Sequence, residues 1–313
     1  MLIQADRLTD TVATIFRRMG SPPEEAALVA ASLVKANLMG HDSHGVGLVA
    51  TYIRHFEEDL LKPGTAVELA KDDGAILMFD GRRGFGRRVG GEAMEAAAER
   101  CRDTGVVLMT LRNAHHIGRV GAYGEIAMAH DLVSLHFVNV TDHAPSVAPW
   151  GGGEARFVTN PMSKGEQLGE GLLIDADGRP TTDPGVMYQD PRGALLPFGA
   201  HKGSGLALMC ELLGGGLSGG GTIQPGNPRR HSIVNNMFAI LVDPARLVDM
   251  DWLRAEIDET VAYVKSARPA DPESQVVVAG DSERARTAER QADGIDINDE
   301  AWEEMMTAAE RLG

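Results

Sequence analysis

Two short segments concentrate side chains that could exchange protons. Residues 40–45 read Gly40-His41-Asp42-Ser43-His44-Gly45, which places two imidazoles, a carboxylate and a hydroxyl between two glycines. Residues 113–121 read Asn113-Ala114-His115-His116-Ile117-Gly118-Arg119-Val120-Gly121. Histidine titrates near neutral pH, so either segment could supply a general acid or base. A histidine that merely fills space is the plainer reading, and the glycines and polar residues around both clusters argue against it. A metal-dependent hydrolase is a competing chemistry, because imidazole is a common zinc ligand and Asp42 could add an oxygen. Neighbouring side chains on an extended segment point opposite ways, which sets His115 and His116 against joint chelation.

Three further segments carry weaker signals. Lys202-Gly203-Ser204-Gly205 follows His201 and opens an expected helix with Leu206, Leu208, Met209, Leu212 and Leu213 on its apolar face. Free amides and an ammonium at a helix start suit a phosphate or carboxylate. Gly84-Phe85-Gly86-Arg87-Arg88-Val89-Gly90 lies between an expected strand and an expected helix, as a dinucleotide fingerprint would. Its spacing misses by one residue, and the following strand ends in Leu111-Arg112 instead of an acid, so a glycine-rich packing turn is the better reading. Gly216-Leu217-Ser218-Gly219-Gly220 fits the nucleophile-elbow pattern but follows a helix, so a flexible loop is expected there.

The elements that must hold these residues follow from periodicity. Leu8, Val12, Ile15, Phe16 and Met19 recur at helical spacing, and Gly20 closes that helix. Ser21-Pro22-Pro23-Glu24 reads as the capped start of a second helix that runs to Met39, with Ser21 as the cap. A third helical segment carries Val49, Tyr52, Ile53 and Phe56, so residues 1–60 are expected to be wholly helical. From Ala75 an α/β rhythm sets in: strands at 75–79, 106–111 and 133–140, helices at 92–102 and 121–129. A helix from Glu211 dissolves into glycine by Gly221, and 237–242 reads as a buried strand. Helices at 252–264, 281–292 and 301–311 close the chain.

Composition narrows the function classes. The 313 residues are 43% hydrophobic and carry a formal charge of −15, so nucleic acid and anionic membrane surfaces are expected to be repelled. No apolar run approaches a membrane span, and Met1 to Thr9 lacks a signal-peptide pattern, which makes the cytoplasm the expected location. Cys101 and Cys210 have no CxxC partner and read as reduced core thiols.

Several motifs in order resemble the malate/L-lactate dehydrogenase family of the second type, the sulfolactate dehydrogenase-like enzymes. They are Gly40 to Val46, His116 to Gly121, Phe157-Val158-Thr159-Asn160-Pro161, Gly178 to Pro184, His201-Lys202-Gly203, and Gly280-Asp281-Ser282-Glu283 to Arg290 before Gly294-Ile295. The resemblance covers nearly the whole chain. It implies an α/β fold with a non-Rossmann cofactor domain and a helical domain built from both termini, here 1–72 plus 281–313, with 73–280 as the cofactor-binding and substrate region. It also implies a homodimer that transfers a hydride between NAD or NADP and a small-molecule 2-keto or 2-hydroxy acid. Carried over by position, it makes His44 the acid/base, Ser43 its hydrogen-bonding neighbour and His116 a second active-site imidazole, with Asp42 a weaker candidate for orienting His44. Ile117, Gly118, Arg119, Val120, Gly121, Thr159, Asn160, Lys202, Gly203, Gly280 and Asp281 would line the cofactor. A cyclic imino acid (ketimine) reductase on the same scaffold is the alternative activity.

The chain departs from the family pattern twice. Many members have arginine four positions after the catalytic histidine, where its fork grips the substrate carboxylate, and this chain has Leu48. Gly45-Val46-Gly47-Leu48 is nearer to the hydroxycarboxylate dehydrogenase B branch, which suggests larger or aromatic 2-keto acids. Arg54 or Arg119 would then hold the carboxylate. Relatives also carry a few tens of further residues, some contacting the cofactor, where this chain has only Ser163 between Met162 and Lys164, so a segment is missing near 162–164.

Overall fold

The structure is a computed structural model, and it describes residues 1–158, 169–227, 230–271 and 273–313. The chain opens with β1 (Leu2–Ile3), α1 (Ala5–Arg18) and α2 (Pro23–Leu38). Two single-turn 3₁₀ segments, Asp42–His44 and Val46–Leu48, lead into α3 (Val49–Glu57). Next come β2 (Glu68–Asp73), β3 (Ile76–Asp80), α4 (Gly86–Thr104), β4 (Val106–His115), α5 (Gly121–Ala129) and β5 (Val133–Thr141). Short strands β6 (Leu173–Ile174), β7 (Pro180–Thr181) and β8 (Ala194–Leu195) form a small separate sheet. Helix α6 (His201–Met209) continues into a π-helical segment, Cys210–Leu217, and β9 (Val234–Val242) follows. The chain ends with α7 (Met250–Lys265), α8 (Asp281–Asp293), β10 (Ile295–Asp296) and α9 (Asp299–Glu310).

One core is made by both ends of the chain. The stripe of α1, Leu8, Val12, Ile15 and Phe16, packs with Leu33 of α2 and Ile53 of α3, and Ile295, Met305 and Ala308 join it from the far end of the sequence. Strands β1 and β10 pair antiparallel, with Ile3 opposite Ile295, and so tie the two ends together.

The main sheet has the order β2-β3-β4-β9-β5. Only β3 and β4 run parallel, and the other pairs are antiparallel. A doubly wound dinucleotide fold needs a parallel sheet with a switch point, so this topology excludes a Rossmann arrangement. Helices α4 and α5 cover one face, with Val89, Ala93, Met94, Ala97 and Tyr123 packed on Leu77, Phe79, Met109, Leu111 and Ala239. No helix among the described residues is long and apolar enough to cross a membrane.

The structure corrects four local expectations. Ser21 does not cap α2: the helix starts at Pro23 with Pro22 before it, and the buried Ser21 hydroxyl has no hydrogen-bond partner among the described residues. Two consecutive prolines move the start past the reach of that side chain. Residues 1–60 are not wholly helical, since 3₁₀ turns carry the first histidine cluster. The glycine-rich stretch after Glu211 is not a flexible loop. Its π-helix lies on β5 and β9, Ser218 is buried, and a Cβ at Gly220 would sit 1.9 Å from Asn236 Oδ1. Glycine there serves close packing. Finally, the apolar face expected for α6 is solvent-facing, with Leu206, Leu208 and Met209 exposed, as is Leu212 in the π-helical segment that follows.

Strand β2 escaped sequence reading for a physical reason. All of its residues are exposed, it sits at the sheet edge, and its charged residues Lys71, Asp72 and Asp73 give no apolar alternation. Cys101 is buried and Cys210 half-buried, both are free, and burial pushes both thiols up, away from the reactive thiolate.

Candidate active site

The loop that carries His44 is bracketed by the end of α2. Asn37 is buried there, its Nδ2 donates to Asp42 Oδ1 at 2.7 Å, and its Oδ1 accepts from the Val46 N–H at 2.9 Å. A Cβ at Gly45 would lie 2.2 Å from Asn37 Oδ1, so the second glycine of the cluster makes room for this bracket. From the opposite side, Arg290 of α8 meets the two Asp42 oxygens at 2.7 and 3.0 Å. Asp42 is therefore committed to Arg290 and Asn37, and it does not orient the His44 ring as the weaker sequence candidate would. Those bonds hold its carboxyl below the ordinary range even though burial opposes them.

Ser43 Oγ lies 3.0 Å from His44 Nδ1. The other ring nitrogen, Nε2, has no hydrogen-bond partner among the described residues. His44 is half-buried, and burial, then the nearby His41, lowers its pKa from the ordinary value of 6.5. The ring stacks on His116 with centroids 5.5 Å apart and planes at 29°. Loops that lie 72 positions apart in number thus meet ring to ring, since β4 ends where His116 begins.

His116 is held in one tautomer. Tyr52, buried on α3, places its hydroxyl 2.6 Å from His116 Nδ1. Burial raises the Tyr52 pKa, so the phenol keeps its proton and donates. Burial and the neighbouring imidazoles push His116 down to about 3, so the ring is neutral and accepts at Nδ1. Its own proton then resides on Nε2. His115 turns the other way, with Nε2 2.8 Å from Nδ1 of the equally buried His55. The adjacent histidines serve different partners, as their places on an extended segment require.

Backbone packing fixes the end of β4. The Ile117 N–H donates to Asn235 Oδ1 at 3.0 Å, and Tyr123 Oη donates to the Ile117 carbonyl at 2.8 Å. A Cβ at Gly86 would lie 2.1 Å from the His115 carbonyl oxygen. The Gly84-Phe85-Gly86 turn therefore brings α4 against the histidine strand, as the packing reading expects.

The other sequence candidates have partners and surroundings of their own. Arg119 pairs with Glu125, which also binds Lys35 at 2.6 Å. Arg54 is exposed and lines a surface hollow with Glu300, Glu303 and Arg311. The charges that shift His44 and His116 come from imidazoles, not from either arginine. Leu48 packs against the first core. Ile117 is buried, Gly118, Val120 and Gly121 continue from it into α5, and Thr159 and Asn160 lie outside the described residues, as does the 162–164 segment. Lys202 is exposed on the first turn of α6, beside the buried Gly203. Gly280 precedes α8. Three hollows among the described residues have linings that include neither imidazole: one of about 790 Å³ between α1, α2 and α8, one of about 690 Å³ between α2 and α4, and one of about 520 Å³ lined by Phe157, Leu208 and Leu212. Sequence reading missed Asn37, His55 and Arg290, and it placed Tyr52 only on an apolar face.

Asp281 joins helices rather than facing the imidazoles. Lys265 meets it at 2.8 Å, the Val278 N–H donates to it at 3.0 Å, and Arg284 adds a third bond. Lys265 above all takes its carboxyl from 3.8 to about 2. A carboxyl lowered on folding stabilises the fold above its ordinary value, and the contribution fades as the pH falls toward the lowered one. Asp281→Asn is therefore expected to melt below the parent at neutral pH, with the difference narrowing as the pH drops from 3.8 toward about 2. Thermal melts across that range check it, and a constant difference would contradict it.

Comparison with known proteins places the chain among malate/lactate dehydrogenases. The family profile described as malate/L-lactate dehydrogenase matches residues 3–165 and 162–306. The L-lactate dehydrogenase of Cupriavidus necator is 39% identical over 322 residues, covering 93% of this chain and 92% of that one. Hydroxycarboxylate dehydrogenase B of Escherichia coli K12 is 36% identical over 341 residues, covering 99% and 94%. The solved sulfolactate dehydrogenase of Methanocaldococcus jannaschii superposes with a TM-score of 0.85 at 28% identity, covering 100% of this chain and 98% of that one.

Proposed function

The chain belongs to the malate/L-lactate dehydrogenase family, and from that premise we propose that it transfers a hydride between NAD(P)H and a 2-keto acid, with His44 exchanging the proton. One observation carries the reading: a half-buried imidazole tied at Nδ1 to Ser43, open at Nε2, and stacked on a second imidazole held neutral.

A bound nicotinamide cofactor supplies the hydride. As negative charge grows on the carbonyl oxygen, protonated His44 donates a hydrogen bond from Nε2 and then gives up that proton. Ser43 Oγ accepts from Nδ1–H in the cationic ring and so fixes its orientation. His116, with its proton on Nε2, offers a second neutral donor beside His44. Stacking keeps the positive charge on one ring, because two imidazolium rings at 5.5 Å repel. In the oxidative direction neutral His44 takes the hydroxyl proton.

The residues present fit a dinucleotide. No side chain caps the N-terminus of α6, and Lys202 stands exposed on its first turn, a donor set suited to pyrophosphate. Lys202 and Gly203, the loop from Ile117 to Gly121 and the turn at Gly280 and Asp281 would hold it, with Thr159 and Asn160. In this reading the helical domain, 1–72 with 281–313, brings the acid/base loop to a cofactor region spanning 73–280. The protein works as a cytoplasmic homodimer, for which the exposed apolar residues of α6 offer a surface to bury.

The test is the loss of NADH or NADPH absorbance on adding a panel of 2-keto acids, aliphatic and aromatic, beside a cyclic ketimine acid. Turnover of a keto acid supports the reading, and turnover of the ketimine alone would replace it. The lowered His44 pKa adds a pH prediction. Oxidation needs the neutral ring, so its kcat/KM is expected to rise with pH and level off, while reduction falls over the same interval. Both midpoints are expected below the ordinary 6.5. Midpoints above that value would contradict the assignment.

A further inference from the structure

Helix α8 buries none of its residues, yet one of its faces is devoted to the His44 loop. Glu283, Arg286 and Arg290 recur at helical spacing. Glu283 Oε1 lies 3.4 Å from His41 Nε2, and Arg286 Cγ lies 3.3 Å from where a Cβ on Gly40 would stand. Arg290 grips Asp42 with both terminal nitrogens and also donates from Nη1 to the Asn37 carbonyl in the last turn of α2. One guanidinium thus spans a helix end and the residue before Ser43 and His44. Such a fork fixes direction as well as charge.

We infer that Arg290 is a positioning residue for His44, acting through Asp42 and the end of α2. The inference rests on the reading of His44 as the acid/base. The pair is partly exposed, Asp42 at 51% and Arg290 at 16% of their side-chain surface, so its share of stability is modest. The consequence lies in geometry: Ser43 and His44 project from backbone that Arg290 and Asn37 clamp from two sides. Misplacing a reacting group by about 1 Å costs on the order of 10²-fold in rate.

Arg290→Lys keeps the charge and loses the fork, and Arg290→Gln loses both. Both are expected to lower kcat for the best 2-keto acid by roughly 10- to 100-fold, with the dissociation constant for NADH or NADPH and the melting temperature scarcely changed. Because Arg290 acts through Asp42, Asp42→Asn combined with Arg290→Gln is expected to be no slower than the slower single variant. Ring-nitrogen NMR gives a readout that needs no turnover: the His44 signals move in Arg290→Lys while those of His55 and His115 stay. Unchanged kcat, or losses that multiply in the double variant, would overturn the inference. So would unmoved His44 signals. If the parent turns over no keto acid, the proposed function fails, and the His44 signals alone then decide whether the clamp is real.

Discussion

Replacing His44 with alanine is expected to lower kcat for 2-keto acid reduction by roughly 10²- to 10⁴-fold, the usual worth of a positioned general acid. Binding of the reduced cofactor should persist, because the loop is held by Asn37, Asp42, Arg290 and Val46 rather than by the His44 ring. The core beneath is also untouched, since His44 is only half-buried and absent from the apolar clusters. The loss should therefore fall on kcat, with no comparable change in melting temperature. Residual activity should lose the pH dependence assigned to His44, because His116, at about 3, stays neutral and takes no part in titration near pH 7. Steady-state kinetics with fluorescence titration of NADH or NADPH separates these effects. Unchanged kcat would remove His44 from the mechanism.

Gly86→Ala is expected to damage both stability and activity, although it lies away from the imidazoles. The added Cβ would stand 2.1 Å from the His115 carbonyl oxygen and 2.6 Å from the His116 carbonyl carbon and oxygen. These are backbone atoms, so no rotamer change relieves the clash, and either α4 or the end of β4 must shift. Overpacking of this kind costs about 3 kcal/mol. The shift would act on the strand end that presents His116 to Tyr52 and His44, and Tyr123 also bonds to both the Gly86 and Ile117 carbonyls. A fall in kcat of roughly 10²-fold is expected beside the loss of stability. Denaturant melts and kinetics on the same preparation check both. A variant as stable and active as the parent would mean that the α4 contact does not position His116.

Local patterns were readable where one element explains itself. The stripe of α1 and the strand at Val133–Thr141 follow from spacing alone, and the failed spacing at Gly84 already pointed away from a Rossmann turn. Both histidine clusters were visible because glycines frame them. What sequence could not supply was the joining. Tyr52 and His116 are 64 positions apart and Asp42 and Arg290 are 248 apart, so no window of sequence contains either pair. The same limit applies to Arg119, whose place in a histidine motif suggested substrate while its guanidinium turns to Glu125. Glycine misled in the opposite sense after Glu211, because low helix propensity there masks a demand for contact with Asn139 and Asn236. Propensity describes an isolated segment, and these glycines answer to a neighbouring sheet.

The most direct measurement follows a labelled hydride. Reduced cofactor carrying deuterium at the transferred position is mixed with a 2-keto acid, and the product is read by mass spectrometry for the parent and for His44→Ala. Deuterium is predicted on the carbinol carbon of the parent's 2-hydroxy acid, formed at a rate that collapses in the variant. An unlabelled product, or label arriving equally fast without the imidazole, would contradict the account.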